Sequence, residues 1–148
     1  MRKAILLAAL LTLDAAAQAQ LPGLRRRAPV PAQPVLQGID ALRAEFAAQS
    51  GGTTVYFSAE NVGLTVPART VLTAQAAWLR RHPEVVVRVE GYGDSGDTRD
   101  HALAVGARRA EEARSYLVLM GVPAAQLSVT SWGKERPGLG RAVTVLVR

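Results

Sequence analysis

The sequence predicts an α+β fold, a two-layer sandwich in which a small mixed sheet carries its helices on one face. The expected order is β-α-β-α-β-β, preceded by a short N-terminal helix. Three observations carry this expectation. "EVVVRVEG" (84–91) alternates with period two, setting Val85, Val87 and Val89 on one side and Val86, Arg88 and Glu90 on the other. Two longer stretches, 67–81 and 99–120, place apolar or small residues at helical spacing. Two further β-branched segments, "QLSVTSW" (126–132) and "RAVTVLV" (141–147), close the chain through "GKERPGLG".

The first residues stand apart from that pattern. Met1-Arg2-Lys3 is basic, "AILLAALLTL" (4–13) is apolar, and Ala17-Gln18-Ala19 matches a small-residue cleavage site, so 1–19 is expected to be a signal peptide for export. As a helix the apolar run rises about 15 Å, half of a bilayer core, too short for a retained span. The absence of cysteine argues against a lipid anchor. Residues 20–37, "QLPGLRRRAPVPAQPVLQ", combine prolines with Arg25-Arg26-Arg27 and read as a semi-rigid linker whose arginines are either solvated or an electrostatic tether.

Residues 38–52 hold the N-terminal helix, with Ile39, Leu42 and Phe46 on one face and Ser50-Gly51-Gly52 as its stop. "TTVYF" (53–57) is a strand with Val55 and Phe57 on one side. Pro67 opens a helix to about Arg81, where its missing N–H is not needed. Leu72, Ala76 and Leu79 face inward, Trp78 is expected to cover the edge, and "RRHP" supplies the stop. The last helix, about 99–120, shows the stripe Leu103, Gly106, Ala110, Ala113 and Leu117, and Gly121 ends it. Its small residues allow a close approach to the sheet. Residues 53–148 thus form one domain, large enough for one core.

Composition narrows the function. Of 148 residues, 49% are hydrophobic and 20% charged, a globular balance, and no cysteine is present for disulfides, thiolate metal sites or nucleophiles. The net charge is +6, or 16 − 11 = +5 once Arg2, Lys3 and Asp14 leave with residues 1–19. That favours anionic partners, and export makes envelope polymers better candidates than nucleic acid. His82 and His101 lie at a helix stop and a helix start, near no nucleophile motif, and read as surface residues. No catalytic residue, cofactor or metal site is expected. "DSGDTRD" (94–100) lacks the ligand spacing of a calcium loop; Asp97 or Thr98 suits a helix N-cap, and Asp100 the positive end of that helix.

Capping leaves Asp94 unexplained, since it follows the strand directly. Adjacent helix residues point about 100° apart, so Arg108 and Arg109 differ in role. Arg108 faces solvent, whereas Arg109 borders the buried stripe beside Ala102, Val105, Glu112 and Tyr116. If Asp94 and Arg109 meet, they offer an acceptor and a bidentate donor side by side, suited to a zwitterionic amino-acid head group.

From Val55 to Val147 the chain resembles the OmpA-like peptidoglycan-binding domain family. The resemblance rests on the first strand and helix leading into "VEGYGD", on "GDSGDT" followed by "GARRAEEARSYL", and on "GVPAAQLSVTSWGKERP". It implies a non-catalytic cell-envelope module, periplasmic or associated with the outer membrane or wall. Such a module binds the diaminopimelate of the peptidoglycan stem peptide, and the loop Asp and helix Arg contact its amino and carboxylate groups. Those positions are Asp94 and Arg109 here. The resemblance adds Glu60, where the family has Asp or Asn near the pocket, and Arg141, one arginine of an "NRR" before the last strand. Several positions depart from the pattern. Ala102 and Ala104 stand for the family's Asn and Ser, Tyr92 for its His and Ser58 for a first-strand Asp, and only "GLG" separates Pro137 from Arg141. These departures keep open a second reading, a degenerate relative serving as a periplasmic protein-interaction or structural module with an envelope protein partner.

Overall fold

The computed structural model describes residues 34–136 and 140–148. The expected signal peptide and residues 20–33 of the expected linker lie outside them. The chain runs α1 (Pro34–Gln49), β1 (Thr54–Tyr56), α2 (Val66–Arg81), β2 (Val87–Tyr92), α3 (Arg99–Leu119), a 3-10 turn (Ala124–Gln126), β3 (Leu127–Gly133) and β4 (Arg141–Leu146). The element order matches the expectation. However, α1 starts at Pro34 rather than Gly38, because proline is tolerated in a first turn that needs no N–H. Residues 34–37, assigned above to the linker, are therefore helical.

The sheet is mixed, in the order β1-β4-β2-β3. β4 pairs antiparallel with both β1 and β2, while β2 and β3 run parallel, with α3 as the crossover. On one face Val55, Val87, Val89, Ala142 and Leu146 are buried with Leu72, Ala76 and Leu79 of α2 and Ala110, Ala113 and Leu117 of α3. Each fully buried leucine contributes about 1.5–3 kcal/mol. One polar bridge crosses this layer: Thr144 Oγ1 donates to Gln75 Oε1 (2.8 Å), and Gln75 Nε2 donates to the Gly52 carbonyl (3.0 Å).

Helix ends follow local chemistry. The Thr65 and Thr98 hydroxyls accept from the Ala68 and His101 amides, so Thr98, not Asp97, is the N-cap of α3. At the other end Gly121 (φ 91°) donates to Val118 O and Val122 to Leu117 O, the paired bonds of a Schellman stop.

Three side chains depart from expectation. Leu103 is 47% exposed; the buried row of α3 is Ala102, Val105, Gly106, Arg109, Ala110, Ala113 and Leu117. Trp78 is fully buried rather than at an edge, because α1 closes over it: Phe46 meets its ring edge-on at 5.1 Å and Glu45 accepts from its indole N–H. His82 is half-buried, its ring stacked on Trp78 at 3.9 Å.

The phase of α3 is set by glycine. A Cβ on Gly91 would lie 1.8 Å from the Gly106 carbonyl oxygen, and one on Gly93 would lie 2.3 Å from that of Ala102. Only hydrogen at Gly91 in β2 and at Gly93 just beyond it allows the helix backbone to rest on this end of the strand. This contact turns Ala102 and Arg109 inward.

Candidate functional site

The site lies where β2 runs into the loop before α3. Asp94 stands two residues beyond Tyr92, and the approach of α3 brings Arg109 over that strand end. The two form a bidentate pair: Nη1 donates to Asp94 Oδ1 and Nη2 to Oδ2, each at 3.0 Å. Arg109 also donates from Nη1 to the Tyr92 carbonyl (2.9 Å), from Nη2 to the Ser58 carbonyl (3.2 Å) and from Nε to the Asn61 carbonyl (2.9 Å). All five guanidinium N–H groups therefore have acceptors. That is the condition under which a charged side chain at 0% exposure is tolerated. The Phe57 ring lies 5.4 Å from the guanidinium carbon and supports it from the core side.

Asp94 keeps a wet edge, its side chain being 22% exposed. Its Oδ2 also accepts from the Glu60 backbone N–H at 2.9 Å. The hydrogen bonds from Arg109, with help from the Glu60 amide, hold the Asp94 carboxyl below its usual pKa against the opposing effect of burial. The carboxylate is thus ionised under all neutral conditions.

The other expected residues are placed differently. Glu60 reaches the site through its backbone, with φ 56° in the left-handed region, while the residue as a whole is exposed on the 58–61 segment. The Arg141 guanidinium lies 5.1 Å from the centre of the Tyr92 ring, at the strand end that leads into Asp94. Gly140 brings β4 close to Asp94: its amide donates to the Gly93 carbonyl, and a Cβ on it would sit 3.5 Å from Asp94 Oδ1. Ala102 is buried against Gly93, and Ala104 is exposed on α3. Sequence reasoning missed Ser58, Asn61 and Tyr92 as contributors, since each acts through its carbonyl and side-chain identity carries no signal for it.

The sheet face away from the core holds a second polar group. Glu90 is 5% exposed, and its Oε1 accepts from Arg88 Nε (3.0 Å) and Nη2 (2.7 Å) while Oε2 accepts from the Tyr92 hydroxyl (3.1 Å). Burial opposes the ionised form, but the Arg88 and Tyr92 bonds outweigh it and the pKa of Glu90 is lowered. Burial and the Glu90 carboxylate raise that of Tyr92. On the side of β2 that carries Arg88 and Glu90, the Arg88 side chain stays 37% exposed while Glu90 is covered.

Among the described residues no group of three or more carboxylate or imidazole side chains could hold a metal, and no helix is long and apolar enough to cross a membrane.

Residues 56–143 match the OmpA family. The peptidoglycan-associated lipoprotein of Agrobacterium fabrum is 40% identical over 86 residues, 58% of this chain and 49% of that protein. That of Pseudomonas aeruginosa is 39% identical over 99 residues, 67% and 58% respectively. The chain spans about half the length of these relatives. Among solved structures, the peptidoglycan-associated lipoprotein from Burkholderia pseudomallei superposes with a TM-score of 0.63 at 30% identity, over 66% of this chain and 92% of that one. The C-terminal domain of Helicobacter pylori MotB, at 19% identity and a TM-score of 0.59 over 64% of this chain and 84% of that one, shares the fold. With the match covering more than half of its 148 residues, and with its mixed four-stranded sheet, the chain belongs to the OmpA family.

Proposed function

We propose that this domain is a non-catalytic peptidoglycan-binding module of the cell envelope that recognises the diaminopimelate of the stem peptide at Asp94 and Arg109. The observation that carries the reading is the bidentate pair itself, an ionised carboxylate with an exposed edge held by a buried guanidinium. The peptidoglycan-associated lipoproteins to which the chain is similar support the ligand class.

The geometry divides the work between the two residues. A ligand ammonium meets the wet edge of Asp94 directly. A ligand carboxylate reaches Arg109 only by exchange, because every donor of that side chain is already used. The Ser58 carbonyl is the acceptor to displace: its bond, at 3.2 Å, is the longest of the five, and it belongs to an exposed segment that water can resolvate. No reacting group is needed for this. His82 is committed to the Trp78 stack, and His101 is exposed near Asp97.

Calorimetric titration of the full chain with a diaminopimelate-containing muropeptide, against its lysine-containing counterpart, tests the reading. The lysine stem offers the ammonium but lacks the neighbouring carboxylate. Preference for diaminopimelate by tenfold or more, lost in Asp94→Asn, is the expected result. Equal affinity for both stems would limit recognition to Asp94. Absence of binding at millimolar ligand would instead favour the degenerate protein-interaction module.

A further inference from the structure

Across the end of the sheet next to Asp94 runs a row of alternating cations and rings. Arg141 of β4 lies on Tyr92 of β2 at 5.1 Å. One strand further on, Trp132 is the extra residue of a bulge, since Gly91 pairs with Ser131 and Tyr92 with Gly133. Beyond it the Arg136 guanidinium stacks 3.4 Å from the centre of the Trp132 ring. Arg136 and Arg141 both lie close enough to the Tyr92 phenol for their charge to oppose the rise in its pKa.

The row ends at Arg136, and the carboxylates near it have other partners. Glu135, the neighbour in sequence, is taken by Arg99 at 2.8 Å, and Glu90 is taken by Arg88. Lys134 is spent on the Asp97 carbonyl at 2.5 Å. Among the described residues no carboxylate pairs with Arg136, which is exposed. Stacking on an indole fixes the plane of a guanidinium while leaving its N–H edges outward, so the geometry needed for a bidentate carboxylate exists before any ligand arrives.

We propose that Arg136, held by Trp132, is a second anion subsite that takes a carboxylate of the wall peptide other than that of its diaminopimelate. This rests on the reading of the Asp94 site given above. Continuity between the two favours one ligand over two. Tyr92 supplies a carbonyl to Arg109 and a ring to Arg141, and Gly140, just before Arg141, closes on Asp94. Tyr92, two residues before Asp94, pairs with Gly133, so Trp132 stands on the strand next to the one that leads into Asp94.

The test uses the full chain and two muropeptides with the same diaminopimelate stem, one with its remaining carboxylates free and one with them amidated. Wild type should bind the free form about three- to tenfold more tightly, and this preference should shrink as salt rises. Arg136→Gln, an exposed substitution, should remove the preference while leaving affinity for the amidated form unchanged. Binding of the free form should also shift Trp132 emission, a change absent in Arg136→Gln. Binding that is indifferent to both amidation and Arg136→Gln would overturn the subsite and leave the Asp94 reading intact. Wild type that binds neither muropeptide would overturn both.

Discussion

Replacing Arg109 by Met removes the guanidinium at nearly constant volume and leaves four acceptors to be resolvated. The Ser58 and Asn61 carbonyls lie on the exposed 58–61 segment, so water replaces the lost donors at little cost. The Tyr92 carbonyl is buried beneath α3 and loses about 1 kcal/mol. Asp94 loses its bidentate partner. Breaking a buried pair costs about 3–5 kcal/mol, and the 22% exposure of Asp94 puts this case near 3. The expected sum is about 4 kcal/mol, a large share of a total stability of about 5–15 kcal/mol. With a urea slope of about 1.5 kcal/mol per molar, the midpoint of unfolding should fall by about 2.5 M at unchanged slope. Asp94→Asn alone should cost about 1–2 kcal/mol, and the double variant should reveal about 2 kcal/mol of coupling. A midpoint shift below about 0.5 M for Arg109→Met would refute the view that the pair ties the loop, the strand end and α3 together.

Further expectations concern packing, capping and pH. Gly91→Ala should prevent normal folding or cost more than about 3 kcal/mol, because its methyl meets the Gly106 carbonyl; circular dichroism and urea melts decide this, and a near-native melt would contradict the contact. Thr98→Ala should lower stability by about 1 kcal/mol in the same assay, and Asp97→Ala by less, since the Thr98 hydroxyl is the cap of α3. Asp94, with its folded pKa depressed below 3.8, contributes stability that is present above that value and lost as pH falls through the folded pKa. Acid titration of the unfolding free energy should therefore be shallower below about pH 4 in Asp94→Asn than in wild type, and identical curves would remove the pair as its cause.

Local sequence was sufficient for the element order, the inward set of β2 and the glycine stop of α3, and it narrowed the cap of α3 to Asp97 or Thr98, because each depends on residues within a few positions of one another. The resemblance singled out Asp94 and Arg109, and spacing along α3 put Arg109 only at the border of the buried row. Its full burial was not legible. The acceptors that make it tolerable, on Ser58, Asn61, Tyr92 and Asp94, come from segments 51, 48, 17 and 15 residues away. Three of them are carbonyls, which every residue type carries. Leu103 shows the same limit from the other side. A 3.6-residue period defines a stripe to within about one residue, and the Gly91–Gly106 contact then rotates α3 so that Ala102 and Arg109 turn in and Leu103 turns out. Trp78, placed at an edge by its own helix, is closed in by Phe46 and Glu45 of α1, an element whose docking no local pattern encodes. Local spacing thus determines which segments become helix or strand. Close backbone contact and long-range hydrogen bonding decide which side chains those segments bury, and here they build the site.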